Sequence, residues 1–239
     1  MMETTININK SNPMKNIIGV MKHTFKTLRI TYIIETVILA LSFFSSNFLS
    51  RYTLGLDLVP TVAIILTINF IAHLIVFSLQ LSKDHGNLLF LAPIKGIEFI
   101  LGHFLELLLI DSFAILFAAV VGSINAHSFA SMLIFSSLGI LIGMLSAHLI
   151  ITGAIAIVGS YIRSTGLCVL GVILACGIGN GIYDWFNKAI ISFLPYFYMN
   201  IGRLGLIEID IFSALLDLIV LIGLQLVAAH MIDKKLDIY

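Results

Sequence analysis

Apolar residues gather in six long runs, 30–49, 59–81, 99–121, 129–158, 166–183 and 211–232, separated by shorter polar stretches. A helix needs ~20 apolar residues to cross a ~30 Å hydrocarbon layer. The pattern therefore predicts an all-α polytopic membrane protein, with one transmembrane domain of six helices over 30–232. The run at 129–158 is long enough to require tilt, a kink or a projecting turn. Ahead of the first run, Met14, Ile17, Ile18, Met21, Phe25 and Leu28 recur at helical spacing, while Lys15, Lys22, Lys26 and Arg29 share another face. Asn12-Pro13 is a good helix start. Residues 1–29 thus predict a cytoplasmic N-terminus whose amphipathic helix lies in the headgroup region before the chain turns into its first span. The plainer alternative is a basic flank that only fixes topology.

Composition supports this reading. Apolar residues make up 59% of the chain and charged ones 11%, against roughly a quarter charged in a soluble domain. Mean hydropathy is +1.09, so the polar residues are too few to make a wettable surface. The 13 basic and 13 acidic residues cancel, leaving none of the electrostatic excess expected of a nucleic-acid binder. Cys168 and Cys176 would stand roughly 12 Å apart on an ideal helix, beyond disulfide reach, and read as packing residues. Basic residues bias a loop to the cytoplasmic side. Placing both termini there collects Lys10, Lys15, Lys22, Lys26, Arg29, Lys83, Lys95, Arg163, Lys234 and Lys235 inside, and leaves Arg51, Lys188 and Arg203 outside. The expected location is the cytoplasmic (inner) membrane, with 233–239 as a cytoplasmic tail.

The loop between the second and third runs, 82–98, holds four consecutive large apolar residues, Leu88, Leu89, Phe90 and Leu91, followed by Pro93. Left in water, each would forgo roughly 1.5–3 kcal/mol of burial. A short helix stopped by the proline could dock into a groove on a soluble partner, lie on the bilayer, or cap the third span. The order Asp84, His85, Gly86, Leu88 to Leu91, Ala92-Pro93-Ile94 and Ile100-Leu101-Gly102 resembles the coupling region of type 2 ABC exporter permeases. The layout is similar as well: amphipathic helix, six spans, and a long external stretch, 184–210, before the last span. The chain departs from the family pattern at Asp84-His85, where Glu-Arg is usual, and at His103, where Lys is usual. The resemblance implies that a cytoplasmic ATP-binding ABC subunit docks on Asp84, His85, Gly86, Leu88, Leu89, Phe90, Leu91 and Pro93. ATP and Mg would belong to that subunit, and no cofactor to this chain. It implies a second permease copy or a related permease chain. It also implies that the aromatic-rich 184–210, with Trp185, Phe186, Phe193, Tyr196, Phe197 and Tyr198, forms short helices dipping back into the outer leaflet.

The sequence carries no glycine-rich phosphate loop ending in Gly-Lys-Ser/Thr, no His-Glu-x-x-His helix and no Gly-x-Ser-x-Gly turn. It is expected to be a non-catalytic membrane subunit, with the ATPase on another chain. Ionisable residues within the runs each need pairing, protonation or water. Glu35, about 7 Å inside the first run, is expected to snorkel. His103 and Glu106, one turn apart on the third, are expected to pair with each other. Asp111 and Asp217, with Glu106, are candidate pathway residues, the alternative being hydrogen bonds between helices. His73 and His148 read as bundle residues. Gly139 and Gly143 have the small-xxx-small spacing of close helix approach, within the bundle or at a dimer seam. The leading expectation is an exporter permease for an amphipathic substrate, foremost a peptide. Small permeases of the family often serve antimicrobial-peptide export or immunity. Two other classes stay open: a proton- or ion-coupled carrier using Asp111, Asp217 and Glu106, and a membrane immunity or assembly factor without transport.

Overall fold

The computed structural model describes residues 12–48, 58–81, 94–125, 127–162, 165–193, 198–201 and 207–236. Among the described residues six helices dominate: α1 (Pro13–Phe48), α2 (Leu58–Leu81), α3 (Gly96–Asn125), α4 (His127–Tyr161), α5 (Thr165–Ile191) and α6 (Ile211–Leu236). Five of them contain stretches long and apolar enough to cross a membrane, Pro60–Leu81, Gly96–Val120, Leu138–Tyr161, Gly166–Ile191 and Ile211–Lys234. The chain is thus a helical, multi-pass membrane protein. It divides into two compact units, Met1–Leu138 and Gly139–Tyr239, with the boundary inside α4.

Helix ends follow local chemistry. Asn12 caps α1 by accepting the Met14 amide on its side chain at 3.1 Å, and Pro13 takes the first position, where a missing N–H costs nothing. At α3, Glu98 reaches back to the Lys95 amide at 3.1 Å, the carboxylate half of a capping box. Its Oε2 also accepts from Asn16 Nδ2 at 2.8 Å, so the cap ties α3 to α1. Asp210 caps α6 by accepting the Phe212 amide at 3.1 Å.

α1 corrects the N-terminal expectation. No turn separates a surface helix from the first span. One helix of 36 residues, about 54 Å long, runs through both. Its N-terminal half packs against the start of α3 and the end of α2, and Val20, Thr24 and Leu28 are buried. Gly102 permits this approach, since a Cβ there would stand 2.6 Å from Val20 Cβ. Lys15, Lys22, Lys26 and Arg29 remain exposed, as do Met14, Ile18 and Phe25. Partners along α1 fix the helix directions in this unit. From Asn16 through His23 and Tyr32 to Ser42, the contacts on α2 run backwards (Gln80, His73, Thr61) while those on α3 run forwards (Glu98, Glu106). α1 and α3 are therefore parallel, and α2 is antiparallel to both.

In the second unit, Gly171 admits Val158, and Gly153 admits Leu224, at distances a Cβ would not allow. Gln225 Nε2 donates to the Leu149 carbonyl at 2.5 Å. Gly139 and Gly143, expected at a close helix contact, are exposed with nothing within 4 Å of a built Cβ. The expected short helices of 184–210 are also corrected. α5 continues to Ile191, and Tyr198–Ile201 (β1) pairs antiparallel with Ile207–Asp210 (β2), in register Tyr198↔Asp210 to Ile201↔Ile207. Paired strands give backbone groups near the membrane the partners that loops would lack. The cysteines are unbridged.

Candidate functional site

Polar side chains line the seam of α1, α2 and α3 in layers. Nearest the α3 cap, His23 Nδ1 lies 3.2 Å from Gln80 Nε2, and Gln80 Oε1 lies 2.8 Å from His103 Nε2. His103 also stacks edge-on against Phe77 and Phe99. Further along, Tyr32 Oη donates to Glu106 Oε1 at 2.5 Å and lies 3.3 Å from His73 Nε2, which contacts Glu106 Oε2. Next, Asn69 Nδ2 donates to Asp111 Oδ1 at 2.8 Å. Leu39, Ile65 and Ala114 then close the seam with an apolar cluster, and Ser42 and Thr61 pair beyond it at 3.2 Å. Glu35, His73, His103, Glu106 and Asp111 are all buried. Asp111 lies about 22 Å along α3 from Gly96, and Asn69 about 14 Å along α2 from Pro60, so this chemistry sits at mid-span.

The tautomer of His73 follows from its surroundings. Nδ1 faces the Asn69 carbonyl at 2.8 Å, and a carbonyl only accepts, so Nδ1 carries a hydrogen. Nε2 then shares one proton with Glu106, as an imidazolium–carboxylate pair or as a neutral pair. Either form keeps the pair uncharged overall, which membrane burial favours over a lone ion by several kcal/mol. The helix interior of α2 explains the alignment. Asn69, His73 and Gln80 follow at spacings of four and seven and so share one face.

Several expectations change here. Glu35 does not snorkel; it is 4% exposed and its Oε1 is buried without a hydrogen-bond partner. It was placed shallow by counting from Ile30, whereas α1 joins the bundle from Pro13. His103 and Glu106 are each engaged by other helices, His103 by Gln80 and Glu106 by Tyr32 and His73. Asp111 has the helix-to-helix hydrogen bond that was one of its two readings. Tyr32, Asn69 and Gln80 were missed as partners, although their spacing on the faces of α1 and α2 was visible. Among the described residues, no group of three or more His, Cys, Asp or Glu is placed to hold a metal ion.

Asp217 belongs to the second unit. It accepts from Tyr183 Oη, and both line a cavity of about 440 Å³ among α4, α5 and α6. Ser146 and Asn180 add polar groups, while Ile150, Val158, Val220 and Leu221 form apolar walls. Outside the cavity, α5 and α6 expose Leu167, Ile173, Ile178, Trp185, Leu218 and Ile219, surfaces suited to lipid or to another membrane helix. Asp84, His85, Gly86, Leu88, Leu89, Phe90, Leu91 and Pro93 lie outside the described residues. Compared with protein-family models, curated proteins and solved structures, the chain finds no match.

Proposed function

We propose that the chain is the membrane permease subunit of an ATP-driven exporter, moving an amphipathic substrate, foremost a peptide, out of the cell. The observation that supports this best is the cavity of the second unit: a largely apolar hollow among membrane helices, with a Tyr183–Asp217 pair, Asn180 and Ser146 as its polar groups. A molecule with a broad apolar face and a few hydrogen-bonding groups suits such walls. A sugar or bare ion would lose more hydration contacts than these groups replace. Energy comes from separate ATPase subunits at the 82–98 loop, as the resemblance implies. Both termini and that loop lie on the cytoplasmic side, following the distribution of basic residues. Residues 30–48 of α1, parallel to α3, supply the sixth crossing. A second permease chain covers apolar surface left open on α5 and α6.

The test is to purify the affinity-tagged chain in mild detergent and identify what travels with it. A soluble ATPase with a phosphate loop should co-purify, and cationic amphipathic peptides should raise its hydrolysis rate in lipid, because a substrate favouring the hydrolysis-competent state shifts that equilibrium. Recovery of the chain with no ATPase overturns the exporter reading. Stimulation only by a polysaccharide or metal ion overturns the substrate class.

A further inference from the structure

Glu35 of α1, Asn69 of α2 and Asp111 of α3 form a layer in which acceptors outnumber donors. Asn69 Nδ2 donates to Asp111 Oδ1 at 2.8 Å, and Glu35, three residues beyond Tyr32 and four before Leu39 on the inward face of α1, stands at the same level between the two apolar clusters. Two carboxyls thus share a layer with a single side-chain amide. The layer is closed on one side by Leu28, Tyr32 and Val76 and on the other by Leu39, Ile65 and Ala114. Within it, Glu35 Oε1 and Asn69 Oδ1 are buried without a hydrogen-bond partner. Both are acceptors, so neither can satisfy the other as written.

Nothing nearby makes up the deficit. The titratable groups facing the layer are Tyr32 on α1, His73 on α2 and Glu106 on α3. The Tyr32 hydroxyl is committed to Glu106, the His73 Nδ1 hydrogen to the Asn69 carbonyl, and the single proton at Nε2 to Glu106. No lysine or arginine is among the buried side chains of the described residues. Two carboxylates at close quarters in the membrane interior, without a cation, cannot both stay ionised. A proton on Glu35 resolves both problems. It removes one of the two like charges and turns an unmatched acceptor into a donor for a carbonyl that lacks one.

We infer that this layer is a proton-binding site, in which Glu35 carries a proton while α1 is packed on α2 and α3, and whose loss loosens α1 from the pair. The proton goes to Glu35 because Glu106 has both carboxyl oxygens bound and neither oxygen of Asp111 is left buried and unpartnered. A sodium ion could supply the same charge, but among the described residues no group of three or more His, Cys, Asp or Glu is placed to hold a metal ion. The inference concerns the three-helix unit alone and does not rest on the exporter reading.

Infrared spectra of the purified full chain in lipid, in H2O and in D2O, test it. The expected result at neutral pH is a protonated-carboxyl C=O stretch that shifts in D2O and has a component that disappears in Glu35→Gln and persists in Glu106→Gln. The wild type's melting temperature should fall as pH rises, in step with loss of that band. Glu35→Gln, whose amide N–H replaces the O–H donor, should melt alike across the same range. Should that variant fail to fold, the wild-type band and its parallel loss with stability carry the test. Absence of the band at neutral pH overturns the inference, as does a band that Glu35→Gln leaves unchanged. Stabilisation by sodium chloride but not by choline chloride would overturn it in favour of a sodium ion.

Discussion

His73 and Glu106 illustrate why a buried polar pair is valued by what remains when it is broken. Replacing His73 with leucine leaves Glu106 with Tyr32 as its only hydrogen-bond donor shown by the geometry, and removing one partner of a buried pair costs about 3–5 kcal/mol. His73→Leu should therefore lower the stability of the purified protein strongly. The double variant His73→Leu/Glu106→Leu should recover much of the loss, because no ion is left stranded. Thermal unfolding of the four proteins of this cycle measures the coupling. Glycines give a second contrast at this scale. Gly102→Ala sets a Cβ 2.6 Å from that of Val20, an overpacking that costs about 1–3 kcal/mol, and Val20→Ala in the same chain should relieve it. Gly143→Ala meets open space and should be neutral or stabilising by up to about 1 kcal/mol, since alanine is the better helix former. The sequence flagged Asp111, Glu106 and the histidines as groups needing partners, because depth in an apolar run can be counted. It did not supply the partners, because those depend on how each helix is rotated about its axis, which hydropathy leaves open. Small-residue spacing likewise marked Gly139 and Gly143, which meet open space, whereas close approaches are made at Gly102 and Gly153 and, of the glycines that thin the fifth run, at Gly171.

Among the elements, α1 carries the largest difference from expectation, and its cause is in the residues. The apolar stripe from Met14 to Leu28 suggested a surface helix, yet Val20, Thr24 and Leu28 continue at helical spacing into Tyr32, Glu35, Leu39 and Ser42. This single inward face runs from Val20 to Ser42 and packs the helix against its neighbours. A stripe with threonine, tyrosine, glutamate and serine in it scores poorly as apolar, so it is invisible until the polar partners on α2 and α3 are known. Glu98 anchors this arrangement at the start of α3, serving the Lys95 amide and Asn16 together. Glu98→Ala removes the reach-back cap and the link to α1, and should cost about 1–2 kcal/mol. Hydrogen exchange distinguishes this from a general loss of stability: amides in the first turns of α3 and around Asn16 should lose protection, while those of α5 and α6 keep theirs. The segment 184–210 shows the complementary case. Its aromatic content was legible, but alternation at Tyr198–Ile201 and Ile207–Asp210 is too brief to announce a strand pair.

At the scale of the whole chain, the two units solve membrane burial differently. The first buries its ionisable groups by pairing them across three helices. The second keeps Asp217 beside a cavity, with Tyr183 as its partner. This division bears on what would drive the proposed transport. A coupling carrier must bind and release its ion during every cycle, so its titrating group needs a route to water. Asp111, by contrast, is 1% exposed and held by Asn69 in a layer closed by apolar clusters on both sides. On the proposed reading, vesicles reconstituted with the chain and the ATPase that co-purifies with it should transport when ATP is supplied and should not respond to an imposed proton gradient alone. Asp111→Asn, which keeps the size of the side chain and replaces its charge, should lower ATP-driven transport no more than it lowers the amount of folded protein. Uptake or release measured under the two driving forces, normalised to folded protein, separates the readings. Transport driven by the gradient without ATP, and abolished by Asp111→Asn, would establish the carrier and remove the exporter.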